Sequence, residues 1–270
     1  MLAGGLATLI GGAQLLVRGA GKLALGFGIS PLVVGLTVVA FGTSSPELAV
    51  SVQSAWSGQV DLALGNVVGS NIFNVLFILG ASALLAPLVV SVQVIRQEVP
   101  IMIGASLWLL AVTLDSSLSR GEGLLFVAGL TAYTTFLVIQ SRRAEPASDP
   151  GNSPPSTGWD DRLPGQLLLI GGGLVLLVLG STWLVEAAVS LARQFGISEL
   201  VIGLTIIAAG TSLPEVATSL LATLRGERDI AVGNVIGSSI FNLLGVLGVS
   251  ALAAPVSLPV APSLAAFDIP

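Results

Sequence analysis

Two short segments of the chain carry residue types that could bind a hard metal cation. Residues 42–47 read GTSSPE and residues 210–215 read GTSLPE, so each segment combines hydroxyl groups, a proline and one carboxylate. Calcium takes roughly 6–8 oxygen ligands from carboxylates, carbonyls and water. An oxygen-only set also suits sodium, but it does not suit a soft metal. These residues therefore predict a calcium or sodium site with Glu47 and Glu215 as its charged ligands.

The proline of each segment indicates that backbone oxygens join the carboxylate. Proline lacks an N–H and its ring clashes with the carbonyl four residues earlier, so Pro46 and Pro214 should release carbonyls near the start of each segment. Inside a bilayer such carbonyls are tolerated where they line a cavity or meet a cation. The alternative is that proline only kinks each helix while the glutamate packs in a polar crevice. The presence of two matching segments disfavours that alternative.

A second pair of segments adds neutral donors. Residues 65–74 read GNVVGSNIFN and residues 233–242 read GNVIGSSIFN. Residues four apart share one face of a helix, and the glycines at 65/69 and 233/237 should let a neighbouring helix approach closely. The polar stripe of each segment holds an asparagine that equally suits helix–helix hydrogen bonding, Asn66 or Asn234. The remaining stripe residues, which we interpret as neutral cation ligands, are Ser70, Asn74, Ser238 and Asn242.

The elements that position these residues are apolar enough to cross a membrane. The 270 residues are 53% hydrophobic and 9% charged, with a mean hydropathy of +0.96, whereas a soluble domain carries roughly 25% charged residues. A transmembrane barrel would show alternating segments of about 10 residues, and these stretches do not alternate. We therefore predict an all-α polytopic membrane protein with eight spans, at roughly 1–20, 31–56, 62–86, 99–114, 121–140, 165–191, 199–224 and 230–254.

Composition also excludes several classes of function. The chain has no cysteine and no histidine, which removes disulfides, zinc sites, thiol nucleophiles and imidazole proton relays. With 15 acidic and 10 basic residues, it has no basic footprint for nucleic acid. We therefore expect no enzyme activity and no cofactor. The expected partners are calcium ions, sodium ions and the lipid bilayer.

An internal repeat relates the two pairs of segments. Residues 35–87 align without a gap with residues 203–255, and 30 of the 53 positions are identical. Five predicted spans precede the second copy, so it should enter the membrane in the opposite sense. Inverted repeats place a binding site near the membrane midplane where the two copies meet. An ionised group there costs about 2.5 kcal/mol or more, so two glutamates at matching positions predict a function.

The repeat also divides the chain. We predict a first five-helix repeat at 1–140, a cytoplasmic linker rich in Pro, Ser and Gly at 141–164, and an inverted second repeat at 165–270. The sequence stops after the counterpart of the third helix, which predicts that the last two helices of the second repeat are missing. An N-terminus outside the cell puts eight of the ten basic residues in cytoplasmic loops, which favours this orientation in a bacterial-type inner membrane. Those eight are Arg18, Lys22, Arg96, Arg142, Arg143, Arg162, Arg225 and Arg228.

The doubled GTSxPE and GNxxGSxIFN segments resemble the α-repeats of the calcium/cation antiporter superfamily, and look most like bacterial sodium/calcium exchangers. The resemblance implies ten helices in two inverted halves, and exchange of Na⁺ for Ca²⁺ by alternating access. It implies Glu47 and Glu215 as shared ligands and the stripe residues as the lining of flanking sodium or solvent sites. It further implies hydroxyl or carbonyl ligands from Thr43, Ser44, Thr211 and Ser212, and carbonyl ligands from Ala40 and Ala208.

Several relatives carry an acidic residue where this chain has Asn74 or Asn242, which disfavours potassium dependence here. Three alternatives remain open: a calcium/proton antiporter, a passive cation channel, and a truncated calcium-binding membrane protein without transport. Of the other acidic residues, Asp61 and Asp229 are predicted to cap helices. Glu98 is predicted to be solvated at the end of a span.

Overall fold

The structure, a computed structural model, describes residues 1–115, 117–143, 158–197, 206 and 208–259. Apolar residues dominate these segments, and a bilayer requires each segment to satisfy its own backbone hydrogen bonds, which a helix does. The first half contains α1 (Leu2–Phe27), α2 (Pro31–Val34), α3 (Ala40–Thr43), α4 (Ser45–Trp56), α5 (Val60–Phe73), α6 (Leu79–Leu85), α7 (Val99–Val112) and α8 (Arg120–Arg143). The second half contains α9 (Leu163–Gln194), α10 (Ala208–Thr211), α11 (Leu213–Leu224), α12 (Arg228–Phe241) and α13 (Leu247–Ala253).

Wider π-helical turns join several of these pieces into longer rods. Such turns insert a residue into a helix and often occur at functional sites. Two of them, Asn74–Ile78 and Asn242–Val246, lie at equivalent positions of the repeats and begin at a predicted ligand. Two more lie at Gly35–Val39 and Val94–Glu98, and short 3₁₀ turns at Thr113–Asp115 and Trp159–Asp161.

The described residues contain six helices that are long and apolar enough to cross a membrane. A seventh span forms from Pro31–Thr43 and Ser45–Trp56, which meet at an angle of 47° just before Pro46. The bend has the expected cause, a proline that cannot continue the hydrogen-bond ladder. The all-α polytopic architecture is thus confirmed. Of the predicted span 199–224, residues 199–205 and 207 lie outside the described residues, as do most of the linker (144–157) and the chain end (260–270).

Two sets of contacts identify the opposite ends of the helix bundle. Near the end of α1, the ammonium of Lys22 lies 2.8 Å from Asp160 and 2.7 Å from Asp161, and Arg18 also pairs with Asp160. Lys22, and then Arg18, lower the pKa of Asp160 by hydrogen bonding to its carboxylate. The end of α1 and the start of α9 therefore share one side of the membrane, which we call the Arg18 side.

The other side is marked by Arg120 at the start of α8, which donates to the Ala254 carbonyl at 2.7 Å. Strand β1 (Ser117–Leu118) pairs there with β2 (Leu258–Pro259) in antiparallel register. The helix pair α12–α13 ends on this Arg120 side. The pair α5–α6 ends on the Arg18 side, and α7 starts there and crosses back to the Arg120 side. The two copies of the repeated segment therefore run in opposite directions, as predicted.

Glycines let the helices pack closely. A Cβ at Gly12 of α1 would lie 2.8 Å from the Gly173 carbonyl of α9, so these two long helices touch through their backbones. A Cβ at Gly233 would lie 2.7 Å from the Leu32 carbonyl, and one at Gly237 2.6 Å from the Leu36 carbonyl. The predicted close approach is thus confirmed for 233/237. For 65/69, no described residue lies within 4 Å of such a Cβ.

Candidate cation site

Glu47 and Glu215 each lie in the first turn of a helix that follows a break. Glu47 belongs to α4, which starts after Ser44, and Glu215 belongs to α11, which starts after Ser212. The N-terminus of a helix carries partial positive charge, which favours a carboxylate there. Both side chains are almost completely buried, at 0% and 1% exposed. The break and the proline thus place each carboxylate inside the protein at the positive end of a half-helix.

Each glutamate is held by a serine of the other repeat. The Ser44 hydroxyl donates to Glu215 Oε1 at 2.8 Å, and the Ser212 hydroxyl donates to Glu47 Oε1 at 2.9 Å. The remaining oxygens, Glu47 Oε2 and Glu215 Oε2, are buried and have no hydrogen-bond partner among the described residues. The two motifs therefore meet at one place, with one oxygen of each carboxylate left available.

Hydrogen bonds from the threonines to the first asparagines also connect the two repeats. Thr43 donates to Asn234 Oδ1 at 3.0 Å, and Thr211 donates to Asn66 Oδ1 at 3.5 Å. The amide of Asn66 donates in turn to Ser51 Oγ at 2.9 Å and to the Glu47 carbonyl at 3.3 Å. This supports the interpretation of Asn66 and Asn234 as hydrogen-bonding links between helices, which the sequence had left open.

The four neutral stripe residues are buried but differ in their partners. Ser70 donates to the Asn66 carbonyl at 2.6 Å, one turn earlier in its own helix. In contrast, Ser238 Oγ, both polar side-chain atoms of Asn74 and Asn242 Oδ1 have no partner among the described residues. The Asn242 amide donates to Asn71 Oδ1 at 3.2 Å. Three of the four thus keep an unpaired oxygen inside the protein, which is costly unless something else satisfies it.

The structure does not test the two residues predicted to offer carbonyl ligands, Ala40 and Ala208. The Ala40 carbonyl accepts from the Ser44 N–H at 3.0 Å and lies 3.4 Å from the Thr43 hydroxyl, so it is not a free oxygen. Ala208 is the first residue of α10. A carbonyl oxygen has two lone pairs, so the role of these residues as ligands stays a prediction.

The arrangement offers oxygen ligands and a formal charge of −2. Within the described residues, no group of three or more acidic, histidine or cysteine side chains could hold a metal. The charge therefore comes from the two glutamates alone, which matches one divalent cation or partly neutralises several monovalent ones. Hydroxyl and amide oxygens supply the rest of the set, as a hard cation requires. The assignment of these residues to a cation stays a prediction.

Sequence reasoning missed one buried acid. Glu98 is 0% exposed rather than solvated at a span end. Tyr133 donates to its Oε2 at 2.6 Å, and the amides of Gln93 and Gln97 donate to its Oε1 at 2.9 Å each. Gln97 lies in the same π-helical turn as Glu98 and Gln93 lies just before it, whereas Tyr133 lies on α8 and could not be assigned from spacing along one helix. The prediction that it is solvated is therefore wrong.

The predicted helix caps are also wrong. Asp61 and Asp229 lie inside the first turn of α5 and α12, whose N-cap residues are Gln59 and Glu227, and neither helix has a side-chain cap hydrogen bond. A carboxylate in the first turn still complements the helix dipole. Their contribution is thus electrostatic rather than a specific hydrogen bond.

The fold and the site together define a class: an integral membrane protein in which two inverted repeats enclose a buried, acidic, oxygen-lined centre. Comparison with known families agrees. The family described as sodium/calcium exchanger protein matches residues 1–140 and 165–270, and the chain belongs to that family. Its relationship is therefore to membrane exchangers.

Individual relatives cover most of the chain. CaxA of Alkalimonas amylolytica, whose name calls it an antiporter, is 46% identical over 232 residues, covering 83% of this chain and 71% of CaxA. The sodium/calcium exchanger MaX1 of Methanosarcina acetivorans is 34% identical over 260 residues, covering 84% of this chain and 74% of MaX1. A solved structure of the sodium-calcium exchanger NCX_Mj superposes with a TM-score of 0.84 at 29% identity, covering 99% of this chain and 85% of that one.

Proposed function

We propose that this protein exchanges sodium for calcium across the membrane by alternating access, with the ions competing for one site centred on Glu47 and Glu215. The observation that carries the proposal is the crossed pair of hydrogen bonds from Ser44 to Glu215 and from Ser212 to Glu47. A site assembled equally from two inverted halves can be exposed to either side by a rearrangement between those halves. The family of the chain supports the same function.

The charges suggest how transport is coupled. An unloaded site leaves two buried carboxylates uncompensated, and moving that charge through a low-dielectric region is costly. One Ca²⁺, or more than one Na⁺, neutralises most of it, so the loaded protein crosses the barrier more easily than the empty one. The serine hydroxyls that now donate to the carboxylates would turn their lone pairs towards the cation. Return of the empty protein is then slow, which prevents uncoupled leakage.

In the proposed mechanism, the part of the protein that moves is the helix pair α1 and α9. These repeat-related helices contact each other through glycine backbones, a close packing that lets them move as one unit. Their ends on the Arg18 side are tied together through Asp160 and Asp161. We propose that this pair shifts across the rest of the bundle to open one side at a time.

The orientation follows from the distribution of basic residues. Arg18, Lys22, Arg143 and Arg162 lie on the Arg18 side, next to the linker between the repeats. By the excess of basic residues in cytoplasmic loops, we propose that the Arg18 side faces the cytoplasm and the N-terminus lies outside. An impermeant probe on a tag at the N-terminus of intact cells tests this orientation directly.

Isotopic calcium uptake by reconstituted vesicles tests the function. Sodium, potassium and pH gradients are imposed one at a time, each against a vesicle without gradient. We expect uptake driven by an outward sodium gradient and unaffected by potassium. Uptake driven only by a pH gradient would instead establish a calcium/proton antiporter, because membrane burial disfavours the ionised form of a carboxylate and so favours proton uptake. Uptake without any gradient dependence would establish a passive channel, and binding without uptake a protein that does not transport.

A further inference from the structure

Most of the buried side-chain polar atoms that lack a hydrogen-bond partner among the described residues belong to residues at equivalent positions of the two repeats. Among the described residues, the unpaired atoms include one oxygen each of Glu47 and Glu215, and side-chain atoms of Asn74 and Asn242. Both pairs belong to the candidate site. One more pair shows the same property: the hydroxyls of Ser82 and Ser250, which occupy equivalent positions at an offset of 168 residues. Buried polar atoms without a partner thus occur at the central site and also at Ser82 and Ser250, which the sequence analysis had not identified.

Ser82 and Ser250 lie on opposite sides of that centre. Each follows its site asparagine by eight residues, a distance of about 12 Å along a helix. Ser82 belongs to α6, which ends on the Arg18 side, and Ser250 belongs to α13, which ends on the Arg120 side. Both side chains are buried, at 1% and 0% exposed. Along the membrane normal, one serine therefore lies on each side of the central site.

The neighbours of the two serines are the helices that carry the glutamates. Helix α6 packs against α11, which begins with Glu215, and α13 packs against α4, which begins with Glu47. On α13, Gly248 contacts Gly123 and Phe126 of α8, and Ser250 lies about 200° around the helix from Gly248. Its hydroxyl therefore points away from α8, into the interior of the bundle. Each serine is thus buried beside a half-helix that leads from one side of the membrane to the site.

We propose that Ser82 and Ser250 form two staging sites for the transported cation, one on the route from the Arg18 side and one on the route from the Arg120 side. Each hydroxyl would replace a water molecule of a hydrated sodium or calcium ion before the ion reaches the carboxylates. A single neutral oxygen binds such an ion weakly, which suits a site that must release it onward. This inference rests on the proposed exchange function and adds the two entry routes to it.

The absence of cysteine from the chain makes single-cysteine labelling a clean test. Ser82→Cys and Ser250→Cys are reconstituted and treated with a charged, membrane-impermeant thiol reagent from one side at a time. We expect Ser82→Cys to react only from the Arg18 side and Ser250→Cys only from the Arg120 side. Matched controls are Ala83→Cys, on the exposed face of α6, and Ala251→Cys, buried against α8. Neither control should react, because neither lies on a route that admits water.

A second measurement links the routes to the ion. Ser82→Ala should raise the KM for calcium presented on the Arg18 side by about 2- to 10-fold, the effect of losing one neutral polar contact. The KM on the other side should not change, and Ser250→Ala should do the reverse. Ser→Cys variants that react no faster than their alanine-position controls, or from both sides alike, would overturn the staging sites while leaving the central site intact. If the native chain shows no sodium-driven uptake, the proposed function fails, and the labelling pattern still decides whether these routes exist.

Discussion

The two copies of the repeated segment share much of their sequence but occupy different environments. In the span from Arg228 to Ala253, 89% of the most apolar stretch is buried inside the protein, whereas in the span from Asp61 to Leu85 the fraction is 33%. Part of the difference comes from α8, which packs along α13 and has no described counterpart against α6. The rest comes from α2 and the Gly35–Val39 turn, which pack along α12. Similar sequences therefore form the central helix in one copy and a peripheral one in the other.

The two carboxylates of the candidate site and their serines do not share this asymmetry. Both glutamates are fully buried, and the crossed serine bonds differ by only 0.1 Å, 2.8 Å against 2.9 Å. Further out the copies diverge: Thr43 lies 3.0 Å from Asn234, but Thr211 lies 3.5 Å from Asn66. The repeats are thus most alike at the two carboxylates and their serines, and least alike where they meet other helices. Variants at equivalent positions test where the symmetry ends.

The largest effect is expected at the two acids. Glu47→Gln and Glu215→Gln should each lower sodium-driven calcium uptake by about 100-fold or more, because each removes half of the charge that attracts the cation. The two losses should be of similar size. Glu122→Gln, which changes a carboxylate that accepts hydrogen bonds from Ser119 near the start of α8, serves as the control and should transport normally. A large loss for one glutamate alone would show that the site belongs to one repeat.

The crossed serine bonds predict a specific pattern of coupling. Ser44→Ala and Ser212→Ala should each weaken calcium binding by about 10-fold, since each removes a hydrogen bond to a charged group. In double-mutant cycles of thermal unfolding, Ser44 should couple to Glu215 and not to Glu47. Coupling of Ser44 to Glu47, three residues away in its own repeat, would contradict the crossed arrangement.

Alanine substitutions at two equivalent glycines, Gly80 and Gly248, should change the stability of the protein by different amounts. A Cβ at Gly248 would lie 2.9 Å from the Gly123 carbonyl of α8, whereas nothing lies within 4 Å of one at Gly80. Gly248→Ala should therefore destabilise the protein by about 1–3 kcal/mol through overpacking. Gly80→Ala should be neutral or stabilising by up to about 1 kcal/mol, because alanine favours the helix. Equal unfolding midpoints for the two variants in detergent would show that α13 is no more tightly packed than α6.

The smallest effect is expected at the linker end of α9. The pKa of Asp160 is lowered in the folded state by Lys22 and Arg18, so its contribution to stability is present above the ordinary aspartate range and is lost as the pH falls through the lowered value. Asp160→Asn should lower the unfolding midpoint at pH 7 by about 1–3 °C, because ion pairs whose basic partners reach the solvent contribute little. The difference from the native protein should shrink as the pH falls through and below the ordinary aspartate range of about 4. A difference that does not shrink there would point to a cause other than charge.

The sequence was sufficient to single out Glu47 and Glu215, because they recur at one offset beside a proline and inside an apolar span. It also predicted that the two motifs meet, since an odd number of spans reverses the second copy, but not which residues pair across the repeats. It could not predict that Glu98 is buried, because its donor Tyr133 comes from another span at no recognisable spacing. Nor could it predict the exposed face of α6, because burial depends on which distant helix packs there rather than on the local pattern.

Equilibrium binding of radioactive calcium to the purified protein tests the central claim most directly, that one site is built jointly by the two repeats. The native chain should bind one calcium ion at this site. Glu47→Gln and Glu215→Gln should each abolish that binding rather than halve it, with both variants still folded by their unfolding midpoints. Two bound ions in the native chain, with one retained in each variant, would contradict the shared site and assign one separate ion to each repeat.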